Sequence, residues 1–422
     1  MGLLALSPLL VFILIYLIGS LIAGDFYKIP ITVAFMASSI YAVVISGKFP
    51  LQRRIDIFSK GASTDKMMLM VWIFILAGAF ANSAKAMGSI DATTNLTLNL
   101  MPGNMLLPGL FLAACFISLS IGTSVGTIVA LAPIAAGIAN TIDISVPITT
   151  AAIVGGAFFG DNLSFISDTT IVATSTQGCR LSDKFRANIY LALPAALIIL
   201  ILYCFIGNDI ESTKQINDIE YIKIIPYLTV LITAILGMNV MAVLTLGIIL
   251  TGGIGMMMGA FDMFGWMQTL GDGILGMGEL IIITMMAGGL LELIKTNGGI
   301  DYILEKLTKR INNKKKAELS IAAIVSLTNI CTANNTVAII TVGDIAKLIG
   351  DKFGVDKRKC ASILDTMSCC TQGLLPYGAQ VLMAAGIAAI NPVTIIPHLY
   401  YPICLGIVTI AAILFRYPRK FS

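Results

Sequence analysis

Apolar runs alternate with short polar segments along nearly the whole chain, at about 8–23, 30–46, 67–81, 105–139, 147–175, 188–206, 222–237, 239–259, 275–294, 317–350, 360–390 and 397–415. A helix of about 20 apolar residues crosses the hydrocarbon core of a bilayer, so the pattern predicts a bundle of membrane-spanning helices. Two runs, 105–139 and 317–350, are too long for one simple crossing at about 1.5 Å per residue. Each has a small, polar centre, SLSIGTSVGT over 118–127 and SLTNICTANNT over 326–336, and basic residues keep both flanks of each run on one side of the membrane. A re-entrant hairpin is therefore expected at each. The runs that follow, 147–175 and 360–390, must cross once, yet both contain Gly, Pro and hydroxyl residues that permit unwinding, at 160–167 and at 371–378 (TQGLLPYG). The first run has no lysine or arginine before it and no small-residue cleavage site, so it reads as a retained helix and not as a signal peptide.

Composition agrees: 57% hydrophobic and 12% charged residues exclude a single soluble domain of 422 residues. The eight cysteines show neither metal-ligand spacing nor CxxC, so no disulfide framework, zinc site or bound cofactor is implied. His398 is the only histidine. Proton chemistry must therefore rest on carboxylates.

Lysine and arginine collect in the segments 47–66, 176–187 and 295–316, which should face the cytoplasm, whereas 82–104 carries only Lys85 and 207–222 is acidic, so both read as external. Both chain termini are then expected inside. The chain also repeats weakly at about 210 residues. LAGAFANSAKAMGSIDA over 76–92 aligns without a gap on MAGGLLELIKTNGGIDY over 286–302. TSVGT at 123–127 falls opposite TANNT at 332–336, and LSFIS at 163–167 opposite LLPYG at 374–378. The segment after Asp91 is poor in basic residues and the one after Asp301 is rich in them, so the two halves, 1–211 and 212–422, are expected to insert in opposite directions. The fold expected is an all-α polytopic membrane protein of two inverted-topology repeats with re-entrant hairpins and discontinuous helices, whose sites lie where the broken helices meet.

Asp161 and Asp168 fall within one of these interrupted segments, and an intramembrane carboxylate marks a functional site unless it only caps a helix. Unwound backbone offers carbonyls and half-helix ends to a small hard cation, and sodium fits that chemistry. Asn162, Ser164, Ser167 and Thr169 add side-chain oxygens from the first half. Asn329, Thr332, Asn334, Asn335, Thr336 and Gln372 add them from the second, where Asp365 is the comparable carboxylate and Glu279 and Glu292 are lesser candidates.

The segment GAFFGDNLSFISDTT resembles the signature of the NhaC-type sodium/proton antiporter family through Gly156, Phe159, Gly160, Asp161, Leu163, Ser164, Ser167, Asp168, Thr169 and Thr170. More broadly the layout resembles the ion transporter superfamily, whose hairpin tips carry motifs similar to Asn334, Asn335 and Thr336. The chain departs from the family pattern at Asn162 and Phe165, where a charged residue and a proline are common. The resemblance implies exchange of Na+ for H+ at Asp161, with Asp168 as second carboxylate or structural partner, in a bacterial inner membrane. Desolvation that favours the neutral carboxyl would let a proton and Na+ compete there. The implied partners are the lipid bilayer and small cations, without nucleic acid, and a homodimer is compatible with the sequence. An exchanger of small organic acids or amino acids is the nearest alternative, and a buried lysine or arginine facing the site would favour it. Apart from Lys223 at the edge of one run, the spanning runs supply only Lys347. An intramembrane aspartyl protease would usually show GxGD, where this chain has FFGD and TVGD.

Overall fold

A computed structural model describes residues 2–19, 22, 30–100, 102–164, 167–208, 220–236, 238–308 and 311–421, and among these all regular structure is helical. The first half contains α1 (Leu3–Ile13), α2 (Ile31–Ile45), α3 (Leu51–Ala62), α4 (Asp65–Met87), α5 (Ser89–Leu100), α6 (Leu106–Ile121), α7 (Ser124–Thr141), α8 (Val146–Leu163), α9 (Asp168–Gln177) and α10 (Leu181–Gly207). The second contains α11 (Ile225–Ile235), α12 (Val240–Met257), α13 (Met263–Gly276), α14 (Gly278–Thr296), α15 (Gly299–Thr308), α16 (Lys314–Thr332), α17 (Asn335–Phe353), α18 (Lys357–Gly373), α19 (Ala379–Ala388), α20 (Pro392–Ile395) and α21 (Tyr400–Leu414). The protein is a multi-pass membrane protein. Five of its described helical stretches are long and apolar enough to cross a bilayer, seven if each of two pairs bent by 109° and 104° counts as one crossing.

Both overlong runs fold as two helices joined by a tight turn. Gly122 (φ 75°) ends α6, and Thr123 caps α7 by accepting from the Gly126 amide at 3.4 Å. In the second half Ala333 takes φ 47°, a left-handed conformation costly for a residue with a Cβ, and Asn334 caps α17 by accepting from the Val337 amide at 3.0 Å. These caps place Thr123 opposite Asn334, so the registers of the tips differ by two residues from the TSVGT/TANNT alignment. Other landmarks recur 211 residues apart. The ends of α9 match those of α19, and Ser118 Oγ donates to the Ala157 carbonyl (2.6 Å) as Asn329 Nδ2 does to that of Ser368 (2.7 Å). The proposed boundary near 211 lies outside the described residues.

The halves interlock: α3 packs on α14 and α13 on α4, while α9 packs on α17 and α19 on α7. Glycines make the first two crossings close. A Cβ on Gly61 would lie 2.5 Å from the Gly288 carbonyl oxygen, and one on Gly78 would overlap that of Gly273. Between apolar helices in lipid, such close backbone approach supplies much of the packing energy. Gly78→Val should therefore cost about 1–3 kcal/mol and lower the thermal midpoint of the purified protein, whereas Gly253→Val, with open space around its Cβ position, should not. Equal midpoints for the two variants would show that the α4–α13 contact is not a tight one.

Candidate functional site

The residues around Asp161 are placed by helix ends. Helix α8 continues through Gly160 and Asp161 to Leu163 and leaves the helical conformation at Ser164, so the break begins four residues later than Gly160. Gly160 serves packing instead: a Cβ there would overlap Ser118 and Leu119 of α6. Asp161 thus projects from the last turn of a helix and not from unwound backbone.

Asp161 is buried and has no ion pair among the described residues. Its two oxygens are met by hydroxyls: Ser167 Oγ donates to Oδ1, and Ser124 Oγ, from the first turn of α7, donates to Oδ2 at 3.3 Å. Thr169 Oγ1 lies 2.9 Å from Ser167 Oγ. Because the single Ser167 proton goes to Asp161, Thr169 is the donor in that contact. On the other side Gln380 Nε2 of α19 donates to Ser124 Oγ (3.0 Å), and Gln372 Nε2 of α18 donates to Gln380 Oε1 (3.1 Å) and to the Ala333 carbonyl (3.0 Å). A continuous hydrogen-bonded chain therefore runs from Asp161 to the α16–α17 turn. Neither Ser124 nor Gln380 was singled out in the sequence. The only signal for them was their position in the first turn of a helix that follows a polar break.

Asp365 is resolved differently. Its Oδ2 pairs with Lys184 Nζ at 2.8 Å and accepts from Asn188 Nδ2 at 2.7 Å, both residues being buried on α10. Lys184 Nζ also donates to the Asn162 carbonyl (2.7 Å) and to Thr170 Oγ1 (2.5 Å), and Asn188 to the same carbonyl (2.9 Å). This corrects the expected loop 176–187: α10 begins at Leu181, and Lys184 lies inside the protein. A buried ion pair adds little net stability, but removing one partner costs about 3–5 kcal/mol because the other charge is left unpaired.

The remaining expected residues are placed as follows. Asn162 is buried, and its Nδ2 donates to the Phe158 carbonyl at 2.8 Å, so its main-chain oxygen faces Lys184. Ser164 is buried at the end of α8. Asp168 is exposed in the first turn of α9, where a helix amino end favours a carboxylate, and it lies outside the Asp161 chain. Asn334 and Asn335 accept from the Val337 and Thr336 amides at 3.0 Å each, and Thr336 is buried beside them. Asn329 donates to the Ser368 carbonyl of α18, and Thr332 donates to the Asn334 carbonyl within the second hairpin. Glu279, with Asp91, Asp272 and Lys85, lines an open cleft of about 770 Å³ that runs along the carboxyl ends of α7 and α19. No three His, Cys, Asp or Glu side chains converge on a metal site among the described residues.

Broken helices in a multi-pass bundle, with a buried unpaired carboxylate held by hydroxyls where they meet, define an ion-coupled membrane transporter. The chain belongs to the Na+/H+ antiporter family, whose family model matches residues 3–208 and 213–417. It is similar to the Na(+)/H(+) antiporter NhaC of Bacillus subtilis (25% identical, covering 79% of this chain and 80% of that protein). It is also similar to the malate-2H(+)/Na(+)-lactate antiporter of the same organism (23%, covering 83% and 81%). Among solved structures, the YdaH transporter of Alcanivorax borkumensis covers 86% of this chain and 88% of its own at 14% identity, with a TM-score of 0.41.

Gln380→Ala removes the donor to Ser124 and breaks the chain between the halves. A hydrogen bond of about 1–1.5 kcal/mol corresponds to roughly a tenfold change in affinity. The Na+ concentration for half-maximal exchange should rise by about that factor while the protein stays folded. An unchanged value would remove Gln380 from the site.

Proposed function

We propose that the protein exchanges Na+ for H+ across a bacterial cytoplasmic membrane by exposing Asp161 alternately to the two sides. The observation that carries this reading is the contrast between two buried carboxylates: Asp365 has its own ammonium partner, whereas, among the described residues, the charge of Asp161 is met only by the hydroxyls of Ser124 and Ser167. Hydroxyls orient a carboxylate but leave its charge uncompensated. An ionised Asp161 therefore calls for a mobile cation or a proton. Na+ would be held by the Asp161 carboxylate with the oxygens of Ser124, Ser167 and Thr169, a hard oxygen set suited to an alkali cation. Protonation neutralises the carboxylate and releases the ion, and no covalent step is needed. Asn334, Asn335 and Thr336 act at the amino end of α17, linked to the site through Ala333 and Gln372. Asp168 supports the start of α9.

In this reading the halves 1–211 and 212–422 insert in opposite directions, with both termini cytoplasmic. The tight turns at 122–123 and 333–334 are then the buried tips of re-entrant hairpins. Alternating access follows from rocking of one half against the other around a fixed site. The acidic cleft with Asp91, Asp272 and Glu279 concentrates cations on its side.

A second reading, exchange of a small carboxylate, is motivated by the relative named as a malate/lactate antiporter. The half-helix amino ends of α7, α9, α17 and α19 suit an anion. Lys184 does not favour it, because its three hydrogen bonds are taken by Asp365, Asn162 and Thr170. In proteoliposomes containing a pH-sensitive dye, Na+ should drive proton movement in the absence of any organic acid. Proton movement only on adding malate or lactate would favour the second reading instead.

Asp161→Asn keeps size and hydrogen bonding but can neither hold a charge nor release a proton. Na+-driven proton flux should fall to the background of empty liposomes at every pH, with the protein still inserted and monodisperse. Wild-type flux with an unchanged pH profile would transfer the coupling to another carboxylate. For the topology, cysteines are placed at Lys314 and at Glu220. An impermeant thiol reagent on intact cells should label the second and not the first, and the reverse result would refute the proposed orientation.

A further inference from the structure

Lys184 does more than balance Asp365. Its ammonium makes hydrogen bonds to three oxygens that come from three different elements: Asp365 Oδ2 on α18 (2.8 Å), the carbonyl of Asn162 in the last turn of α8 (2.7 Å) and Thr170 Oγ1 in the first turn of α9 (2.5 Å). On two of the residues bonded here, Asp365 and Asn188, the Oδ1 oxygens are buried without a hydrogen-bond partner among the described residues. The pocket thus gathers one carboxylate, one main-chain carbonyl at a helix break and one hydroxyl around a single positive charge. That donor set is the one expected for a small monovalent cation, and here a lysine brings the charge on its own four-carbon stem. The arrangement is not repeated at the positions 211 residues away. The residue 211 after Lys184 is Ile395, and the residue 211 before Asp365 is Val154, so the pair is not a staple repeated in the fold.

We propose that the Asp365 pocket is a second monovalent-cation site, occupied permanently by the tethered ammonium of Lys184, and that it accepts a free ammonium-sized cation when the lysine stem is removed. The tethered charge holds the two pieces of the broken helix α8–α9 against α18 without drawing on the ion supply. It leaves Asp161 as the position where a mobile ion is exchanged. The proposal does not depend on what the protein transports.

A plain structural ion pair and a filled cation site differ in one respect. Loss of a staple lowers stability whatever the salt, whereas an emptied site is refilled by mass action. The test is thermal unfolding of the purified full-length protein, in an Asp161→Asn background so that ion binding at Asp161 does not contribute. Methylammonium, Na+ and K+ chlorides are compared with choline chloride at constant ionic strength. Lys184→Ala should unfold at a lower temperature than its parent in choline. It should recover about 3 °C or more as methylammonium or an alkali cation saturates. The parent with Lys184 intact and the Lys184→Ala/Asp365→Asn variant should not respond. A folded Lys184→Ala protein indifferent to all the cations overturns the proposal, as does an equal response in the Asp365→Asn variant. Failure of Lys184→Ala to accumulate in membranes also overturns it, since cellular K+ would already fill a genuine site. None of these outcomes bears on Na+/H+ exchange, which is read separately by flux through the wild-type protein.

Discussion

A carboxylate inside an apolar helix bundle is stable only when something answers its charge, and that requirement organises the centre of this protein. Besides Glu318, which pairs with the buried Lys359 at 3.0 Å, two carboxylates are buried among the described residues, and they are answered in opposite ways. Asp365 receives an ammonium and an amide from α10, both delivered by the chain itself. Asp161 receives two hydroxyl hydrogen bonds, which fix its direction and leave its charge open. The first solution balances the charge within the protein itself. The second makes a place whose electrostatics depend on what arrives from outside. The same side-chain type is therefore a fixture in one setting and, in the proposed reading, an exchangeable site in the other.

The helix breaks and the site are one feature. The last turn of a helix leaves carbonyls without intrahelical partners. The Asn162 carbonyl at the end of α8 is taken by Lys184 and Asn188, the Ala333 carbonyl by Gln372, and that of Ile330 by the Tyr377 hydroxyl at 2.9 Å. Straight helices would offer none of these oxygens. The polar side chains that satisfy them lie on α10, α18 and the α18–α19 connection, so each break is held open by an element other than its own. Interruption of the helix is thereby tied to the packing of both halves, and the close glycine crossings of α3 on α14 and α4 on α13 hold the rest of the bundle in register.

Much of this was legible in the sequence. The overlong runs, their polar centres and the placement of Asp161 in an apolar segment follow from hydropathy and from the cost of burying charge. The tips at 122–123 and 333–334 fall inside the predicted centres. What escaped was whatever depends on contacts between distant segments. Lys184 read as a loop residue because a hydropathy pattern stops a span at its first charged side chains. Only Asp365, far along the chain, explains why this lysine is inside. Ser124 and Gln380 are ordinary polar residues until α7 and α19 meet, and they become part of the Asp161 chain through a contact spanning 256 residues. Gly160 read as a point of unwinding because glycine weakens a helix, yet α6 presses on it and the helix persists. Asp168 carries the same chemistry as Asp161 in sequence, but the break turns it to the outside.

The direction of the hydrogen bonds carries the argument one step further. With Asp161 ionised, the donors nearest it all point toward it: Thr169 to Ser167, Ser167 to Asp161, Gln380 to Ser124, Ser124 to Asp161. A proton on Asp161 turns one of its oxygens into a donor, and the serine opposite must then accept. Ser124 already accepts from Gln380, so its own proton has to find a new acceptor or the Gln380 amide has to turn. Gln380 is in turn held by Gln372, whose other N–H fixes the Ala333 carbonyl at the strained turn between α16 and α17. In the proposed exchange, a proton on Oδ2 of Asp161 would therefore be felt, through four consecutive hydrogen bonds, at Ala333, the left-handed residue that joins α16 and α17. A cation at Asp161 leaves the carboxylate an acceptor and makes no such demand. The two loaded states differ in hydrogen-bond direction at the interface between the halves, and that difference is a physical means by which the occupant of the site can bias how the halves pack.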